Sequence, residues 1–188
     1  YRHLLQRRGY SRRMHAQAST AAVVRLVVVL SLGVVGVTVV QTLMFPLLPV
    51  LPALLNTSVS DASWAITATL VTAAVAMPVF GRLGDLYGPK LMLLLCAILL
   101  ILGSVVAALA DSLILLVLGR GLQGCSVAIL PLGISVIRAA VPGRSVGLAI
   151  GVFSASVGIA GALNLPLSAL IVEHLDWHAL FWFSGGLG

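Results

Sequence analysis

The sequence predicts an all-α membrane protein, and its composition, its apolar runs and the placement of its charges all support that fold class. Of the 188 residues, 60% are hydrophobic and 9% are charged, whereas soluble domains average about 45–50% apolar and about 25% charged residues. A chain of this length buries too small a share of its surface to hide so many apolar side chains in a globular core. Most of them are therefore expected to face lipid.

Five apolar runs are each long enough, as helices, to cross a hydrocarbon layer about 30 Å thick, and they lack the alternating polarity of barrel strands. A basic arm, residues 1–25, precedes them. The expected transmembrane helices, called the first to fifth spans below, lie at 26–48, 64–80, 91–110, 113–137 and 146–172. A sixth starts near Ala179 and is cut off at Gly188, so we expect the chain to be a fragment of a larger bundle.

The charges alternate between the two sides of this bundle. Every Lys and Arg except Arg120 lies in one of three segments, namely 1–25, 81–90 and 138–145. The intervening segments hold none and carry acids, which are Asp61, Asp111, Glu173 and Asp176. Because cytoplasmic connections are enriched in Lys and Arg, we expect a multi-pass protein of the plasma membrane with a cytoplasmic N-terminus.

The first span follows basic residues, as the apolar core of a secretory signal does. A signal core has only about 7–15 residues and precedes a cleavage site of small residues, whereas this run is longer and ends among prolines, beginning with Pro46. We therefore expect a permanent helix. Its polar residues Thr38, Gln41 and Thr42 either line a substrate cavity or make ordinary hydrogen bonds between helices.

Between the second and third spans, three glycines, an acid and flanking bases within ten residues predict a tight, charged turn. The segment reads Gly81-Arg82-Leu83-Gly84-Asp85-Leu86-Tyr87-Gly88-Pro89-Lys90. It resembles the loop signature G-x-L-x-D-x-x-G-x-K of the major facilitator superfamily, with Leu86 and Pro89 where that family usually has bases. The resemblance implies a conformational latch in which the acid pairs with a helix terminus and a neighbouring base. The latch residues would be Gly81, Asp85, Gly88, Lys90 and Arg138. The alternative is a loop whose charges only keep it soluble.

Arg120 is the only charged residue inside a predicted span. At seven positions past Leu113 and 1.5 Å per residue, it lies about 10 Å below the end of its helix. Such residues usually face the bundle interior or a water-filled cavity, although a long side chain can also reach back to the headgroups. Gln123 and Gly124 share its helical face.

The segment from Leu118 to Gly124 resembles the R-x-x-Q-G signature of proton-coupled antiporters of the same superfamily. The resemblance implies that Arg120, with Gln123 and Gly124, favours the ionised form of a nearby acid or competes with a cationic substrate for it. No predicted span contains an acid, and Gly36 stands where the multidrug branch commonly has Asp. The coupling carboxylate is therefore expected to come from outside this chain.

The fifth span has small residues at helical spacing, which let membrane helices pack closely. They are Gly147, Gly151, Ala155, Gly158 and Ala162. We expect Gly147, Gly151 and Gly158 to act as a packing hinge. Trp177-His178-Ala179-Leu180-Phe181 resembles the W-R-x-x-F motif that follows the fifth span of antiporters, but Ser168 and Ala169 replace the glycines of their preceding G-P-x-x-G-G motif.

Together the motifs most resemble the N-terminal half of actinobacterial drug:proton antiporters of the fourteen-span type. That resemblance implies proton-coupled export of small apolar or cationic compounds, as in multidrug efflux, by alternating access between two helical halves. The implied partners are the lipid bilayer, a small-molecule substrate, protons and a missing C-terminal half. The alternatives are a uniporter or importer on the same fold, and a non-transporting truncated membrane component.

Other function classes lack their sequence signatures. The chain has no GxxxxGK[ST], HExxH or GxSxG motif, so we expect neither an enzyme nor a cofactor. We expect no metal site, since the four histidines all lie in segments outside the predicted spans and form no zinc-binding motif. No nucleic-acid role is expected, because most of the basic residues precede the first span instead of forming a soluble face.

Overall fold

The apolar runs fold as helices in the computed structural model, which describes residues 20–174, 181–182 and 185–186. The α-helices are α1 Thr20–Leu47, α2 Leu51–Leu54, α3 Val59–Ala62, α4 Trp64–Tyr87, α5 Pro89–Ala108, α6 Leu113–Cys125, α7 Ile129–Ala140 and α8 Gly143–His174. The first, second, third and fifth spans are α1, α4, α5 and α8. The fourth span consists of α6 and α7, which the 3-10 turn Ser126–Ala128 joins. Within the described residues, five helical stretches are long and apolar enough to cross a membrane, and the predicted all-α membrane fold is confirmed.

The connection between the second and third spans is shorter than the sequence predicts. The turn predicted over residues 81–90 is wrong in extent, because α4 continues through Tyr87 and only Gly88 separates it from α5. Gly88 has a φ of 93°, which residues with a side chain rarely adopt. Pro89 then begins α5, a position where the missing N–H of proline leaves no bond unmade. Gly84 is not a turn residue. It lies against Leu132 of α7, where an added Cβ would come within 2.8 Å of a methyl carbon.

At the end of the bundle opposite the Gly88 turn, two serines cap the helices that begin there. The hydroxyl of Ser58 accepts a hydrogen bond from the backbone N–H of Asp61 at 3.0 Å, at the start of α3. The hydroxyl of Ser112 accepts one from the N–H of Leu115 at 3.4 Å, at the start of α6. Such caps satisfy N–H groups that have no partner within the first turn of a helix.

The fourth span lies at the centre of the bundle. Helix α6 packs along α4 on one side and α5 on the other, and α7 adds contacts with α1, α5 and α8. Helix α1 packs mainly along α8. Half of the most apolar stretch of the fourth span is buried, compared with 17% for the fifth. The other spans therefore pack around the fourth span.

The two ends of the bundle differ in charge. Successive spans run in opposite directions, so one end, called the basic end below, holds five of the bases that the structure describes: Arg25, Arg82, Lys90, Arg138 and Arg144. Asp85 lies at the same end, whereas Asp61 and Asp111 lie at the other. Apolar side chains such as Leu70 and Leu102 are exposed around the outside, as expected of helices that contact lipid.

Candidate functional site

Arg120 lies inside the bundle, with only 1% of its surface exposed. Its Nε donates to the carbonyl oxygen of Ala65 at 3.4 Å, and its Nη1 donates to the carbonyl oxygen of Val40 at 3.0 Å. Nη1 also donates to Oε1 of Gln123 at 2.8 Å, and Nη2 donates to Oε1 of Gln41 at 3.5 Å. The guanidinium therefore joins the fourth span to the first and second, and it does not reach back to the surface.

The predicted partner Gln123 extends this network to the third span. Its carboxamide oxygen accepts from Arg120, and its Nε2 donates to the hydroxyl of Ser104 at 3.0 Å. Thr69, on the second span, donates its hydroxyl to the carbonyl oxygen of Arg120 at 3.2 Å. We call the five residues that link four spans in this way the arginine cluster: Gln41, Thr69, Ser104, Arg120 and Gln123.

The arginine cluster contains a charge but no acid. Among the described side chains, the carboxylates of Asp61, Asp85 and Asp111 are exposed at the ends of helices. Burying a charge away from water costs roughly several kcal/mol, even after the protein relaxes around it. The four oxygen acceptors around the guanidinium offset part of that cost, because hydrogen bonds to charged groups are stronger than neutral ones. The described interior thus holds a positive charge that is hydrogen-bonded to protein oxygens but paired with no acid.

Glycines on α6 bring the neighbouring helices close to Arg120. A Cβ at Gly124 would collide with the backbone of Thr69 and the hydroxyl of Thr72 on α4. A Cβ at Gly119 would come within 2.9 Å of the carbonyl oxygen of Gly103 on α5. The second and third spans therefore approach the fourth at van der Waals contact of their backbones, which fixes the geometry of the arginine cluster. Gly124 is not part of this cluster, but its lack of a side chain allows α4 to approach α6 this closely.

Asn164, on α8, is a buried polar residue to which the sequence analysis assigned no role. It is 2% exposed, and its Nδ2 donates to the carbonyl oxygen of Val39 at 2.9 Å and to the hydroxyl of Thr42. Its Oδ1 has no partner among the described residues. The signal available in the sequence was a single amide within an apolar run. Asn164 links the fifth span to the first at the level of the arginine cluster, because its partner Val39 precedes Val40, which accepts from Arg120.

The threonines of the first span make local bonds. Thr38 donates its hydroxyl to the carbonyl oxygen of Val34 at 2.8 Å, and Thr42 donates to that of Thr38 at 2.9 Å. Both bonds lie within α1. Of the three polar residues singled out in this span, only Gln41 belongs to the arginine cluster.

The five latch residues gather at the basic end but do not form a closed pair. Asp85, Lys90 and Arg138 are exposed, while Gly81 and Gly88 are half-buried. Among the residues that the structure describes, no ion pair joins Asp85 to Arg138. A cavity of about 470 Å³ lies between the Gly88 turn and the end of α7. The latch stays a prediction.

The three glycines predicted to form a packing hinge lie on an open surface. Gly147, Gly151 and Gly158 are exposed, and a Cβ added to any of them would meet no atom within 4 Å. Their face of α8 therefore packs against no other part of the described chain, and the hinge stays a prediction. The W-R-x-x-F-like motif, apart from Phe181, and most of the basic arm and sixth span fall on residues 1–19, 175–180, 183–184 and 187–188, outside the described residues.

A separate apolar cavity of about 530 Å³ lies nearer the basic end, among the first, third and fourth spans. Leu30, Leu94 and Ile129 line it, and Lys90 contributes to its wall. None of its lining residues belongs to the arginine cluster, so the cavity and the buried charge are distinct features.

Comparisons with known proteins agree with this architecture. The family model described as Major Facilitator Superfamily matches residues 30–188. An uncharacterised transporter of this type, YvkA of Bacillus subtilis, is 33% identical over 84% of the chain and 36% of its own length. The tetracenomycin C resistance and export protein of Streptomyces glaucescens is 28% identical over 84% of the chain and 30% of its length. The riboflavin transporter RibZ of Clostridioides difficile is 28% identical over 71% of the chain and 29% of its length. The chain thus spans about a third of these relatives, and it belongs to the major facilitator superfamily.

Proposed function

We propose that the chain contributes one helical half of a secondary transporter, which exports small, largely apolar organic compounds by alternating access. The observation that carries this proposal is the arginine cluster, a buried charge held by four spans. Polar and ionisable groups inside a membrane bundle are costly and mark substrate or ion pathways. A relative named for resistance and export supports the outward direction.

We further propose that export is driven by protons. A fixed positive charge favours the ionised form of a nearby carboxylic acid, so Arg120 would promote release of the coupling proton from such an acid. The described part of the bundle interior holds no acid, so the carboxylate would come from the rest of the transporter. On this proposal the protein is a multi-pass protein of the plasma membrane with its basic end in the cytoplasm, where bases are enriched.

The second candidate is uniport or import on the same fold. A relative named as a riboflavin transporter favours it, because that name states no direction and no coupling ion. The two candidates differ in whether protons move with the substrate. A third, a membrane component without transport activity, predicts no substrate movement at all.

Proteoliposomes that contain the intact transporter distinguish these candidates. A fluorescent apolar compound reports transport, and a pH-sensitive dye in the lumen reports protons. We expect an imposed proton gradient to drive the compound against its concentration gradient in the wild type. Movement without proton exchange would indicate uniport.

Variants of Arg120 test whether this residue couples substrate transport to proton movement. Arg120→Ala removes the charge, and we expect it to abolish gradient-driven transport while Arg144→Ala, at an exposed position of the basic end, retains it. Arg120→Lys keeps the charge but loses the planar fork of donors, so its activity should fall between the two. Unchanged transport by Arg120→Ala would overturn the role of this residue.

A further inference from the structure

The two terminal nitrogen atoms of Arg120 have different surroundings. Nη1 donates to two acceptors at 3.0 and 2.8 Å, and Nε donates to one at 3.4 Å. Nη2 carries two N–H groups, and within the described part of the chain its one hydrogen bond is to Oε1 of Gln41, at 3.5 Å. That length is beyond the usual range of 2.7–3.2 Å for such bonds. Nη2 is therefore the part of the guanidinium with hydrogen-bonding capacity to spare.

Gln41 also differs from the other partners in how easily it can leave. The carbonyl oxygens of Val40 and Ala65 belong to helix backbones, and Gln123 is 1% exposed and bonded to Ser104 as well. Gln41 is half-buried and holds Arg120 through a flexible side chain. Rotation of that side chain would break its hydrogen bond to Nη2 without breaking a helix.

The uncompensated charge sets which group would replace Gln41. A carboxylate or similar anionic oxygen forms shorter and stronger bonds with a guanidinium than a neutral amide does. It would also neutralise a positive charge that no described acid balances, whereas a cation would be repelled. We propose that Arg120 Nη2, gated by Gln41, recognises an anionic oxygen group of the transported molecule. This inference rests on the proposed function, and it reverses the sign of charge that the sequence resemblance implies for the substrate.

Three compounds with one aromatic body test the preference: 1-naphthylacetate, its neutral amide, and 2-(1-naphthyl)ethylamine, which is a cation. Binding to the intact, purified transporter is measured from the naphthyl fluorescence, and transport is measured in proteoliposomes. We expect the anion to bind about tenfold more tightly than the amide, and the cation most weakly. An anion that binds no more tightly than the amide overturns the inference.

Two variants locate the preference at Nη2. Gln41→Glu supplies a resident carboxylate beside Arg120, so the anion should lose about tenfold in affinity while the amide is unaffected. Arg120→Gln should bind the anion and the amide equally. Arg144→Gln, at an exposed base, should keep the wild-type preference, and Gln41→Ala should keep or increase it. An anion preference that survives in both Gln41→Glu and Arg120→Gln contradicts the inference.

The same data separate this inference from the proposed function. If the amide is transported but the anion is not preferred, the inference fails and the transporter proposal stands. If the wild type moves none of the three compounds and no apolar fluorescent compound, both fail. Size-exclusion profiles identify misfolded protein, and Gln41→Ala, which adds no charge, then replaces Gln41→Glu as the test, since loss of anion binding in it would contradict the gating role.

Discussion

Two sets of glycines in this bundle have opposite surroundings. On the third and fourth spans, a Cβ at Gly103 or Gly119 would come within 3 Å of backbone atoms of the facing helix. On the fifth span, a Cβ at Gly151 or Gly158 would meet nothing within 4 Å. We call these the crowded face and the open face. The difference shows that a row of small residues identifies a surface where close approach is possible, and only the fold shows whether a neighbour is present.

The crowded face has a direct consequence for the buried charge. Because α5 and α6 touch through Gly103 and Gly119, Ser104 lies close enough to accept a hydrogen bond from Gln123. Gln123 is thereby fixed to accept from Arg120. The geometry of the candidate site therefore depends on backbone contact at residues that carry no chemistry themselves.

The largest effect is expected from a bulky residue on the crowded face. Gly119→Val would place its side chain against the backbone N of Ala107 and the carbonyl oxygen of Gly103, neither of which can move without shifting a helix. Overpacking of this kind costs about 1–3 kcal/mol and occasionally more, and we expect the upper end of that range. The measurement is unfolding of the 188-residue chain in detergent micelles.

The matched control is the same substitution on the open face. A Cβ at Gly158 meets no atom within 4 Å and this face of α8 is exposed, so Gly158→Val should change the free energy of unfolding by no more than about 0.5 kcal/mol. Equal destabilisation by the two variants would mean that valine is costly for a reason other than crowding. The comparison between the two faces would then lose its physical basis.

The sequence predicts the features of this arrangement that depend on neighbouring residues, but not those that depend on contacts between distant residues. The spans are predictable because about twenty consecutive apolar residues are needed to cross the membrane. The depth of Arg120 favours an interior position but leaves open a side chain that reaches the headgroups. The helical state of Gly81 to Tyr87 is not predictable from the sequence, since glycines and charged residues are typical of turns. The contact of Gly84 with Leu132 joins residues that are far apart in the chain. Asn164 is missed for the same reason, because its partners are more than 120 residues away along the chain.

An intermediate effect is expected at Asn164, which lies on a packed face of the same helix that carries the open face. Asn164→Ala removes two hydrogen bonds to the first span and leaves the hydroxyl of Thr42 without a donor. A lost buried hydrogen bond costs about 1–3 kcal/mol, and we expect a loss of about 2 kcal/mol in the unfolding assay.

Leu163→Ala provides the neighbouring control, because Leu163 is 65% exposed and should contribute less than about 0.5 kcal/mol. If Asn164→Ala were as stable as this control, the bonds between α1 and α8 would not hold the two helices together. Only the apolar contacts along α1 and α8 would then remain to explain their association.

The smallest effect, with the opposite sign, is expected from Gly151→Ala on the open face. Alanine is favoured over glycine inside a helix by about 1 kcal/mol, and no described atom lies close enough to oppose the added Cβ. The variant should therefore match or slightly exceed the wild type in unfolding measurements on the 188-residue chain, whereas the same change at Gly119 should destabilise it. In the intact transporter, the hinge proposal requires another helix against this face, and there Gly151→Ala should instead lower stability or slow transport. A variant that is neutral in both settings would mean that the open face contacts only lipid, and the hinge proposal would fail.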